Sequence, residues 1–133
     1  MNILPGVISD VQSTTHMSYV KVHLNEHSFI KTVLLETPHT LSYLKPNEKV
    51  KVLFKETEVI LSTQIIDAIS LENSLSGVIR KIDVGEILTR VELETSSGNV
   101  TSIVTTESFN KLKLNVEDSI VASINSSEIM LAE

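Results

Sequence analysis

Apolar and polar residues alternate with a period of two through much of the chain. The clearest cases are Tyr19-Val20-Lys21-Val22-His23-Leu24 and Arg90-Val91-Glu92-Leu93-Glu94. Val50-Lys51-Val52-Leu53-Phe54 and Glu58-Val59-Ile60-Leu61 are equally rich in β-branched and aromatic residues. A period of two puts successive side chains on opposite faces, so these runs predict half-buried strands. Ser96-Ser97-Gly98-Asn99 predicts a hairpin turn, and Asn25-Glu26-His27-Ser28 fills the corresponding place earlier. Two segments break the alternation, Thr37–Leu44 and Ser108–Leu114. Thr37 and Ser108 suit helix N-caps and Pro38 suits a first helical position, so a short helix is expected in each.

The pattern occurs twice. Asn2-Ile3-Leu4-Pro5-Gly6-Val7-Ile8 recurs as Asn73-Ser74-Leu75-Ser76-Gly77-Val78-Ile79, and the register continues through Val20/Val91, Val33/Val104 and Glu36/Glu107. One residue is then lost, and Leu44–Val50 matches Leu114–Ile120, with Glu58–Leu61 matching Glu128–Leu131. This predicts one module over 1–65, a linker over 66–71 and a second module over 72–133. The linker region (TQIIDAISL, Thr63–Leu71) is apolar enough that it is expected to pack. Five strands with a short helix before the fourth predict an all-β fold of two tandem OB-like barrels. A barrel of about 65 residues buries a modest core, so two gain by packing together or by oligomerising.

Composition narrows the function. The 133 residues carry a net charge of −6, no cysteine and no tryptophan. Without cysteine there is neither a disulfide framework nor a thiolate metal site. The four basic residues Lys45, Lys49, Lys51 and Lys55 are interrupted by Glu48, Glu56 and Glu58, and aromatic stacking residues are few. Both facts argue against a nucleic-acid partner. The N-terminal stretch has no basic region followed by an apolar core, and no apolar run reaches membrane-spanning length, so a cytoplasmic, non-inserted protein is expected. His23 and His27 have superficial metal spacing, but they fall on a strand and a turn, so no metal site is expected. No Gly-x-Ser-x-Gly elbow and no phosphate-cradling glycine loop appears, which argues against an enzyme.

Asn-x-Leu-x-Gly-x-Ile opening a module, Thr-x-x-Ser before a short helix, and a hydrophobic strand ending in a lysine resemble the molybdate-binding Mop/TOBE (molbindin) family. Two modules in a chain of this length resemble its tandem, di-Mop form. The resemblance implies OB-like modules whose first strand can cross to a neighbour. It also implies a homo-oligomer, with a trimer favoured, and sites for molybdate or tungstate between modules at subunit interfaces. The implied role is intracellular molybdenum storage or homeostasis. The alternative is a ligand-free regulatory or assembly module partnering a molybdate transporter or regulator.

Residue by residue, the resemblance assigns Thr105 and Ser108 as oxyanion ligands in the second module. In the first module the same places fall on Leu34 and Thr37, so only the second hydroxyl remains. The strand-end lysine is Lys55 in one module and Asn125 in the other, followed by Glu56 or Ser126, each offering a backbone N–H. The entry Ser-x-Arg-Asn falls on Ser70-Leu71-Glu72-Asn73, so Glu72 reverses the charge of an arginine. Gly6, Gly77 and Asn2 are expected to be structural, the glycines allowing close backbone approach. Hydroxyls and one lysine suit a dianion, because they donate hydrogen bonds with few carboxylates nearby.

Overall fold

The computed structural model describes residues 1–133. The chain is mostly β, with ten strands, one short helix and two curled antiparallel sheets of OB-like character. The strands are β1 (Asn2–Ser13), β2 (Ser18–His23), β3 (Phe29–Leu34), β4 (Lys49–Phe54) and β5 (Ile60–Ser62). In the second half come β6 (Asn73–Val84), β7 (Leu88–Thr95), β8 (Gly98–Thr105), β9 (Ser119–Ile124) and β10 (Met130–Ala132). The helix is α1 (Thr106–Leu112), and 3₁₀ turns cover Glu56–Glu58 and Ser126–Glu128.

The alternation does what it predicts. Along β1, Asn2, Leu4, Gly6 and Ile8 face inward, and along β2 the inward residues are Ser18, Val20 and Val22. Both long strands bulge at equivalent places, between Ile8 and Asp10 in β1 and between Ile79 and Lys81 in β6. Two residues earlier, Gly6 and Gly77 let β1 and β6 press against the next strand. A Cβ on Gly77 would stand 2.6 Å from the Glu94 carbonyl oxygen, and one on Gly6 would stand 2.5 Å from Val22 Cγ1.

The sheets do not divide at the linker. Their strand orders are β10-β4-β1-β2-β3 and β5-β9-β6-β7-β8. Each half therefore gives its last short strand to the other half's sheet: Met130–Ala132 pairs with β4, and Ile60–Ser62 pairs with β9. The resemblance implies a first strand that crosses; in this chain the fifth strand of each half does so. The exchange brings apolar residues of both halves, among them Leu4, Phe54, Val59, Ile79, Ile124 and Ile129, into one core cluster of 22 buried residues.

Three expectations change. The linker is exposed, with Ile65, Ile66 and Ile69 all about half accessible, because the core is built by the strands on either side of it and takes none of its side chains. The lost residue lies in the β2–β3 hairpin. His23 pairs with Phe29 across five intervening residues, whereas Glu94 pairs with Asn99 across four. The counterpart of Val33 is therefore Ile103, and the residues matching Thr105 and Ser108 are Leu35 and Pro38, not Leu34 and Thr37.

The third change follows from that register. Only the second half has a helix, and its N-cap is Thr105, whose side chain accepts from Ser108 N–H. Ser108 lies inside the helix rather than at its cap. In the first half Leu35 has no capping oxygen and Pro38 has no N–H to cap. Thr37 starts one turn, its carbonyl accepting from Thr40 and Leu41 N–H. The Thr40 hydroxyl then bonds the Thr37 backbone on both sides and competes with helix propagation.

Candidate functional site

Thr105 and Ser108 stand at the junction of β8 and α1, which the Thr105 cap makes. Thr105 Oγ1 accepts from Ser108 N–H at 3.1 Å and donates to Ser108 Oγ at 2.9 Å. That leaves the Ser108 hydroxyl hydrogen free to turn outward. Both side chains line a hollow of about 520 Å³ whose other walls are mostly apolar, among them Ile60, Leu88 and Ile103. The matching hollow in the first half is lined by Leu35, Tyr43 and Met130 and has a volume of about 320 Å³. It lacks the hydroxyl pair, because the residue matching Thr105 is Leu35.

Lys55 precedes the 3₁₀ turn Glu56–Glu58 at the N-cap position, makes no side-chain cap hydrogen bond and is exposed. The turn packs on β8, and Thr57 within it lines the same hollow as Thr105 and Ser108. The strand exchange thus places the lysine-bearing turn of the first half beside the hydroxyl pair of the second, although the Lys55 side chain does not line the hollow. The Glu56 carboxylate takes the Met1 amino group at 2.5 Å. That hydrogen bond, helped by its own backbone N–H, holds Glu56 below the usual carboxylate range.

Ser126, Asn73 and Glu72 meet elsewhere. Asn73 is 2% exposed. Its Oδ1 accepts from Lys31 N–H at 2.7 Å, and its Nδ2 donates to the Lys31 and Ile124 carbonyls at 2.8 and 3.1 Å. No amide hydrogen is left for an anion. Asn2 does the same at the mirrored position, bonding Thr101 N–H and C=O at 2.8 Å each. Both asparagines pin one half's first strand to the other half's third. Beside Asn73, the Glu72 carboxylate accepts from Ser126 Oγ at 3.0 Å and from the Tyr19 hydroxyl. Burial first, and the Glu72 carboxylate second, push the Tyr19 hydroxyl up to about 12 from 10.

Thr37 is buried and lines a third hollow of about 470 Å³ with Ser13, Thr14, Thr15, Pro38 and His39. Ser70 is exposed on the linker. Within one chain the residues assigned from the sequence therefore fall into separate groups. Thr105 and Ser108 lie together with Lys55 and Glu56 on the adjoining turn, Asn73 and Ser126 flank Glu72, and Thr37 and Ser70 stand apart. Tyr19 and Lys31 were missed, because nothing local marks a strand tyrosine as the partner of a carboxylate 53 residues away.

The TOBE domain family model matches residues 69–131, the second half of the chain. Among solved structures the chain is similar to the cytoplasmic molybdate-binding protein ModG, crystallised with molybdate bound. The TM-score is 0.90 at 27% sequence identity, and the match covers 98% of this chain and 94% of that one. No curated protein matches the chain by sequence. No helix is long and apolar enough to cross a membrane.

Proposed function

We propose that the chain binds molybdate or a closely similar oxyanion such as tungstate, as two tandem OB-like modules assembled into a cytoplasmic homo-oligomer that stores or buffers the anion. The observation that carries this reading is the likeness to molybdate-bound ModG along nearly the whole length of both chains. The hollow at Thr105 and Ser108 supports it chemically. The Ser108 hydroxyl, oriented by Thr105, can donate without adding charge, the walls are otherwise mostly apolar, and a lysine sits at the start of the adjoining turn. Desolvation strengthens each such hydrogen bond. The open side of the hollow suits a second subunit, whose donors would complete the coordination that one chain leaves partial.

Calorimetric titration with molybdate, tungstate and sulfate tests the reading. Molybdate should bind, and Lys55→Ala and Thr105→Val should each weaken it by roughly tenfold, the worth of one charge-assisted hydrogen bond. No heat at millimolar anion would overturn it. A second reading, a regulatory or assembly module without ligand, draws on the carboxylate already seated on Ser126.

A further inference from the structure

Glu72 is exposed and needs no partner, since water solvates a surface carboxylate fully. Ser126 is different. It is 6% exposed, and its hydroxyl has Glu72 Oε1 as its acceptor, at 3.0 Å. Without that carboxylate the buried hydroxyl loses the one acceptor it has in the chain. The second oxygen of Glu72 is held by the Tyr19 hydroxyl, and the Lys31 ammonium lies 5.6 Å from the Tyr19 ring centre. Tyr19 and Lys31 come from the first half of the chain and Ser126 from the second. Asn73, clamped to the backbone of Lys31, fixes where Glu72 leaves the strand. The arrangement is two converging hydroxyl donors with a cation near them, holding an oxyanion that happens to be part of the chain.

We propose that Tyr19, Ser126 and Lys31 form a small-oxyanion site that Glu72 fills as a tethered competitor, so that a free tetrahedral oxyanion enters only when the Glu72 side chain swings out. This rests on the reading of the chain as an oxyanion binder and deepens it by naming, at the Ser126 part of the site that the resemblance implies, the residue that limits entry. A group tethered by a short side chain competes at an effective concentration of millimolar or above. It also repels an incoming dianion. Together these effects hold the site empty of free anion at concentrations that fill an unobstructed site. The donors are hydroxyls, and hydroxyls accept either the planar carboxylate or a tetrahedral anion, since both present only acceptor oxygens.

The test uses the full chain as wild type, Glu72→Ala and Glu72→Ala/Ser126→Ala, titrated with molybdate by calorimetry and counted by native mass spectrometry. Glu72 is exposed, so its truncation leaves the core intact. The single variant should bind an additional molybdate per chain, or bind one class of sites at least about tenfold tighter. The double variant should return to wild-type behaviour. Alkaline titration of tyrosine absorbance supplies an independent readout: Glu72→Ala should lower the Tyr19 midpoint from about 12 toward 10. An unchanged molybdate stoichiometry and affinity in Glu72→Ala, or an unchanged Tyr19 titration, would overturn the proposal. If wild type binds nothing and Glu72→Ala binds molybdate, the tethered competitor stands and the carrier reading of the wild-type chain falls. If neither binds, both fall.

Discussion

Replacing Asn73 by alanine should remove one of the two clamps that hold the halves together. Its side chain makes three hydrogen bonds, two to the Lys31 peptide and one to the Ile124 carbonyl. Truncation leaves the Lys31 N–H and C=O and the Ile124 C=O short of partners in a place where the asparagine itself is 2% exposed. Each buried group left unpaired costs about 1–3 kcal/mol, but β3 is an edge strand and water reaches part of the Lys31 peptide. The net loss should be about 2–4 kcal/mol. At a urea slope of about 1–3 kcal/mol per molar, the midpoint should fall by on the order of 1 M without a change in slope. Asn2→Ala removes two bonds of the same kind and should cost less. Asn73→Asp keeps the acceptor for Lys31 N–H, loses both donations and adds a charge beside Glu72, so it should rescue little. Circular dichroism of urea unfolding measures all three. A loss below about 0.5 kcal/mol for both alanine variants would refute the reasoning, because the backbone groups would then be satisfied without the clamps.

Further outcomes follow from other sites. Thr105→Val removes the α1 cap and should cost about 1 kcal/mol in thermal or urea unfolding, with a loss of helical dichroism. Gly77→Ala drives a methyl against the Glu94 carbonyl oxygen and Gly6→Ala drives one against the fully buried, β-branched Val22; each should destabilise by about 1–3 kcal/mol in urea unfolding. Glu117 holds a left-handed backbone (φ 78°) where the first half has Asn47 (φ 73°), so Glu117→Asn should relieve about 0.5–1 kcal/mol of strain, offset in part by loss of its exposed ion pair with Arg80, and the gain in urea unfolding should be larger at high salt, where that pair is screened. The folded-state pKa of Tyr19 lies above its unfolded value, so its contribution to stability is complete below pH 10 and is lost as pH rises toward 12. Tyr19→Phe should flatten that alkaline limb of the stability–pH curve.

Much of the fold is legible in the sequence because the strand period is local. Val20, Val22, Val91 and Leu93 alternate with charged residues, and each faces the core. The repeat of Asn2–Ile8 at Asn73–Ile79 marks two strands with the same bulge and the same asparagine clamp. Strand exchange is not legible, since Ile60–Ser62 and Met130–Ala132 have the same pattern whichever sheet receives them. The hairpin that lost a residue is hidden as well. Val33, Val104 and Ile103 are interchangeable as apolar strand residues, and only the pairing of His23 with Phe29 and of Glu94 with Asn99 fixes the register. That slip misplaced the first half's ligand positions and predicted a helix where Leu35 cannot cap one.

The candidate site was legible in its residue types and not in their grouping. Thr105 and Ser108, which the resemblance singles out, line one hollow. The resemblance places Asn73 in the entry to the oxyanion site, and its amide is spent on the backbone, as that of Asn2 is. The charge of Glu72 was evident, but its partners Tyr19 and Ser126 lie 53 and 54 residues away, beyond any local pattern.

The most direct measurement of the central claim is native mass spectrometry of the purified chain with and without excess molybdate. It reports subunit number and bound anion together. The account predicts a homo-oligomer that gains the mass of discrete molybdate ions, and that in Thr105→Val needs roughly tenfold more molybdate to gain the same mass. A chain that stays monomeric and gains no molybdate at millimolar concentration would contradict it.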